Sequence, residues 1–84
     1  MNYIYILVDT HDCEPEVYTS ATEAYDIVAE ILTAHMERYG YSYEEINEMK
    51  KELIHSYEYD ERCFGATAGD RTITVYKKEI KLDW

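Results

Sequence analysis

Residues 18–40 constrain the fold of this chain more than any other stretch. They read Y-T-S-A-T-E-A-Y-D-I-V-A-E-I-L-T-A-H-M-E-R-Y-G: a strand end, a helix start signal, a long amphipathic segment and a glycine stop. Ser20-Ala-Thr-Glu23 has capping-box spacing, in which the serine hydroxyl accepts the amide three residues on and the glutamate reaches back. Gly40 suits the left-handed position that ends a helix. At about 100° per residue, Ala24, Val28, Ile31, Leu32, His35 and Tyr39 fall on one face. Glu23, Asp26, Glu30 and Glu37 fall within about 60° of one another on the opposite face. The same pattern thus predicts a helix to about residue 39 and an acidic stripe along it.

The other elements follow in order. Residues 2–9, N-Y-I-Y-I-L-V-D, read as a strand with apolar side chains at both parities, predicting a central strand covered on both faces. Asp and Pro15 break it over residues 9–16, and a short strand resumes at 16–19, a hairpin with a loop of about six residues. Ser42-Tyr-Glu-Glu45 is a second capping box, followed by a helix over about 43–57 with Ile46, Met49, Leu53 and Tyr57 at helical spacing. Residues 40–42 are short enough to make the helices neighbours. After an acidic linker at 58–62, Gly69-Asp70 separates two β-like runs as a hairpin turn. The last strand, about 72–81, carries Lys77, Lys78 and Lys81, which suit an exposed end or edge. The expected class is α+β: ββααββ order, with two helices packed on one face of a four-stranded, mainly antiparallel sheet.

At 84 residues the expectation is one domain, 1–84, with a modest core and no large enclosed pocket. The apolar run from Tyr3 to Val8 is too short and lacks the basic start of a signal peptide, and no run reaches membrane-span length, so a cytoplasmic protein without membrane contact is expected. Cys13 and Cys63, in no CxxC or Cys/His cluster, are expected as reduced thiols. The net charge of −10 is uneven: residues 1–37 carry eight acids and no base, whereas residues 38–84 are close to balance. Such a field repels phosphate backbones and anionic lipid, so direct nucleic-acid binding is disfavoured and a basic protein partner favoured.

Few motifs point to chemistry. There is no GxSxG, P-loop or GxGxxG, and no cofactor or catalytic residue is expected. The loop from Asp9 to Glu16 offers Asp9, His11, Asp12 and Glu14 as a weak divalent-cation alternative, without EF-hand or zinc spacing; the competing reading is a solvated acidic turn. His35, on the apolar face, reads as a packed or hydrogen-bonded core histidine, and His55 as exposed. Tyrosine is abundant, ten residues against one Phe and one Trp. Tyr3, Tyr5, Tyr25 and Tyr39 are expected partly in the core. Tyr41, Tyr43, Tyr57 and Tyr59 are expected to cluster beside the inter-helix turn and the following linker, a composition suited to protein contact.

The acidic stripe, about 21 Å from Glu23 to Glu37, matches the reach of a few backbone phosphates. Glu45, Glu48 and Glu52 on the second helix are expected to extend it. In size, acidity and lack of catalytic motifs, the chain resembles the small inhibitors that phages and other mobile elements make against host nucleic-acid enzymes, the anti-CRISPR and DNA-mimic proteins. The near-balanced second half departs from the extreme mimics and leaves a one-face version. The resemblance implies a non-enzymatic, stoichiometric inhibitor in the host cytoplasm that occupies a basic nucleic-acid-binding surface of an effector. Its expected contact residues are Glu23, Asp26, Glu30, Glu37, Tyr41, Tyr43, Glu45, Glu48, Glu52 and Tyr59. The alternatives are a homodimeric structural or regulatory module, pairing through an edge strand or the tyrosines from Tyr41 to Tyr59, and the cation loop.

Overall fold

Two serine caps set the helices. The computed structural model, which describes residues 2–80, has α1 at Ala21–Arg38 and α2 at Tyr43–Tyr59. At α2 the capping box is complete: Ser42 Oγ accepts from the Glu45 amide and Glu45 Oε1 from the Ser42 amide, both at 3.1 Å. At α1 only half of it forms, with Ser20 Oγ accepting from the Glu23 amide at 3.3 Å, and the Glu23 side chain remains in solvent. α1 stops at Gly40, whose φ of +74° turns the chain. The Gly40 amide donates to the Glu37 carbonyl and the Tyr41 amide to the Met36 carbonyl, which satisfies two of the last free helix carbonyls.

Strands β1 (Asn2–Asp9), β2 (Glu16–Tyr18), β3 (Cys63–Ala68) and β4 (Arg71–Ile80) form one antiparallel sheet in the order β2-β1-β4-β3. The α+β class and the ββααββ order are those expected, and both helices lie on one face. β1 is central, again as expected, but it is not covered on both faces. Tyr5, Leu7 and Asp9 point into the core, whereas Val8 on the other face is 44% exposed. Val17 and Tyr76 are exposed too. The isoleucines of β1 that suggested a second layer, Ile4 and Ile6, are half-buried by neighbours on the open sheet. β4 is not an edge strand either, since it pairs with β1 from Asn2↔Ile80 to Asp9↔Ile73 and with β3 on its other side. Its Lys77 is instead half-buried, with Nζ 4.2 Å from the centre of the Tyr3 ring. Lys81 lies outside the described residues.

One core lies between the sheet and the helices. Ala24, Val28 and Leu32 of α1, Leu53 of α2, and Ile73 and Val75 of β4 have no exposed surface. The buried arc of α1 extends beyond the predicted face to Met36, because α2 covers that flank. Tyr39, predicted on the buried arc, caps the helix and is 65% exposed. α2 runs antiparallel to α1 and lies along β3. Two outward amides of that edge strand are occupied by α2 side chains: Gly65 N–H donates to Ser56 Oγ and Thr67 N–H to Glu52 Oε2, each at 3.1 Å. Edge pairing at those positions is thereby blocked.

Gly65 sits where a Cβ would run into the backbone carbonyl of Ile73, so relief would require moving a strand. Gly40 has open space around its missing Cβ and is constrained by φ alone. Gly65→Ala is therefore expected to cost more than about 2 kcal/mol, and Gly40→Ala about 1 kcal/mol. Urea denaturation monitored by circular dichroism distinguishes the two; equal costs would contradict the close approach at Gly65.

Candidate functional site

The acidic residues of the first helix keep their solvent side in the fold. Glu23, Asp26, Glu30 and Glu37 are all exposed on α1, and among the described residues none forms an ion pair with a base. Their carboxylates are left to water and to one another.

The second set behaves differently. Glu45 closes the α2 cap, Glu48 pairs with Lys51 at 3.5 Å, and Glu52 holds the Thr67 amide. These three line a groove with Met36, Tyr41 and Gly69, on the flank of α2 away from the Asp26 side of α1. They do not extend the α1 stripe, because successive elements bury opposite flanks of α2. The tyrosines also separate. Tyr43 (78% exposed) and Tyr59 (92% exposed) stand at opposite ends of α2, about 24 Å apart. Tyr41 is half-buried with its hydroxyl over Gly69, and Tyr57 packs on the core. The expected cluster from Tyr41 to Tyr59 is not one patch.

Tyr57 belongs to an aromatic group that periodicity alone did not single out. Its ring meets Tyr25 edge-on at 5.1 Å and Phe64 edge-on at 5.0 Å. The Tyr25 and Tyr57 rings floor a groove of about 340 Å³ between the start of α1 and the end of α2, completed by Thr22, Asp26, Ile54 and Glu58. Burial pushes the Tyr25 phenol above its ordinary range, and the charges of Asp26 and Glu58 push it the same way. The signal in the sequence was Ile54, an apolar residue off the buried face of α2. Glu58 lies in the expected linker at 58–62, but α2 continues through it to Tyr59.

The loop after β1 does not make a cation cage. Asp9 is buried, and its carboxylate accepts from Arg71 twice, from Nε at 3.0 Å and from Nη2 at 2.5 Å, and from the His11 amide at 3.0 Å. Asp12 caps the Glu14 amide. Among the described residues no three His, Cys, Asp or Glu side chains converge as a metal requires. Cys13 and Cys63 are both exposed and not disulfide-bonded.

His35 is buried as expected, with its Nδ1 3.4 Å from Arg71 Nη1. Arginine only donates, so Nδ1 accepts and the ring proton sits on Nε2. His11 meets His35 edge-on at 5.3 Å and approaches Asp70 at 3.5 Å. The Asp9–Arg71 pair thus joins the end of β1, the start of β4 and the last turns of α1, across 62 residues of sequence.

Comparison with protein-family models, characterised proteins and solved structures returns no match. No helix among the described residues is long and apolar enough to cross a membrane.

The hydrogen bond from Arg71 holds the Asp9 carboxyl below its ordinary range against the opposing effect of burial. A carboxyl with a lowered folded-state pKa stabilises the fold fully above its unfolded value, about pH 4, and loses that contribution as pH falls through the folded value. Stability measured against pH is expected to fall below about pH 4, with a shallower acid slope in Asp9→Asn. Arg71→Met leaves the buried carboxylate without its partner and is expected to cost about 2 kcal/mol at neutral pH, less than for a fully buried pair because Arg71 reaches solvent. An unchanged acid slope in Asp9→Asn would remove the pair from the acid response.

Proposed function

We propose that this protein is a non-enzymatic binding protein that sets the acidic outer face of α1 against a basic partner, a nucleic-acid-processing effector, and inhibits it stoichiometrically. The observation that supports this reading is the row Glu23, Asp26, Glu30 and Glu37, exposed along one helix with no base in ion-pairing distance among the described residues. Like charges three and four residues apart repel and weaken a helix by a few tenths of a kcal/mol each. A basic groove that tracks a nucleic-acid backbone relieves that repulsion on docking. The face is narrow: Glu45, Glu48 and Glu52 are held by local partners on another flank, so the reading is mimicry by one helix rather than by the whole surface.

Charge reversal of the four residues to Lys is expected to abolish capture of the basic partner from a cell lysate, with native circular dichroism. Raising salt is expected to weaken the wild-type complex chiefly by slowing association. The captured protein is expected to lose its nucleic-acid binding when the wild-type chain is added in equimolar amount. Retention of binding by the reversed variant would leave the stripe as an ordinary solvated face.

A further inference from the structure

The groove between the start of α1 and the end of α2 combines features that the acidic stripe alone lacks. Its floor is aromatic: Tyr25 and Tyr57 are half-buried, in edge contact with each other, and packed on the fully buried Phe64. Its wall is aliphatic, with Ile54 42% exposed, a large apolar surface for the outer side of a helix in so acidic a chain. Its two lips are carboxylates, Asp26 from α1 and Glu58 from α2, both exposed and neither ion-paired among the described residues. Both carboxylates line the same groove as the Tyr25 ring.

The geometry points to this groove as the receptor for one arginine side chain of the basic partner, its methylene stem on Ile54, its guanidinium over the tyrosine rings and between Asp26 and Glu58. The inference rests on the reading that the partner is basic, and adds which side chain it inserts and where. A volume of about 340 Å³ is at the small end for ligand sites, suited to a single side chain rather than to a cofactor. Arginine fits better than lysine because its planar, weakly hydrated guanidinium stacks on aromatic faces and offers donors to two carboxylates at once. Asp26 belongs to both the groove and the stripe, so an inserted arginine would anchor one end of the row while Glu30 and Glu37 face further bases.

The test is an NMR titration of the full, isotope-labelled chain at low salt with a short peptide of alternating Gly and Arg, beside its Lys and citrulline counterparts. The Arg peptide is expected to move the Ile54 methyl and the Tyr25 and Tyr57 ring signals and to bind about threefold more tightly than the Lys peptide, with no binding of the citrulline peptide. Ile54→Ala and Glu58→Gln are each expected to weaken the Arg peptide about threefold and to remove its advantage over Lys, with native circular dichroism. If Arg and Lys peptides bind equally and shift only the amides around Glu30 and Glu37, the groove is not the receptor, while the acidic-face reading stands. If no peptide binds, both fail.

Discussion

A sheet with helices on only one side leaves each element a single way to face. Among the described residues both helices pack on the same face of the four-stranded sheet, and Val8, Val17 and Tyr76 stand exposed on the other. With Ala24, Val28 and Leu32 fully buried against the strands, the rotation of α1 about its axis is set, and the carboxylates opposite them have only solvent to face. The position of α2 is set in the same way by Ile46, Met49 and Leu53. The charged surface is thus a geometric consequence of which residues of α1 form the core.

The helices could be read from the sequence because their signals are local. Serine caps, glycine stops and a 3.6-residue period act within a few turns, and Ser20, Ser42 and Gly40 all took their expected places. The strand order could not. Lys77, Lys78 and Lys81 suit an exposed end or an edge; β4 is central, paired with β1 and β3, with Lys78 exposed near its end, and its pairing with β1 brings Asp9 beside Arg71. A contact across 62 residues leaves no periodic trace. The isoleucines of β1 misled for a related reason. Side chains on an open sheet face shelter one another across strands, so apolar residues at both parities do not require a second layer.

The candidate surface was partly visible for the same reasons. Residues on one helix, such as Glu23 and Glu30, keep their relation because helix geometry is fixed. Residues on two helices do not. Glu45, Glu48 and Glu52 share a flank with one another but not with the α1 row, and that depends on the α1–α2 packing, which no spacing encodes. The Tyr25–Tyr57 groove exists only after the two helices are laid antiparallel.

Ser56 and Glu52 give the β3 edge a guard made of side chains. A neighbouring strand would hold that edge through a continuous backbone ladder, whereas here two oxygen atoms borne on α2 do so. The guard therefore lasts only while the helix stays docked: a local opening of α2 would bare the helix core and free the strand edge in one event. The cover on those two amides is in this way a property of one helix contact rather than of the sheet.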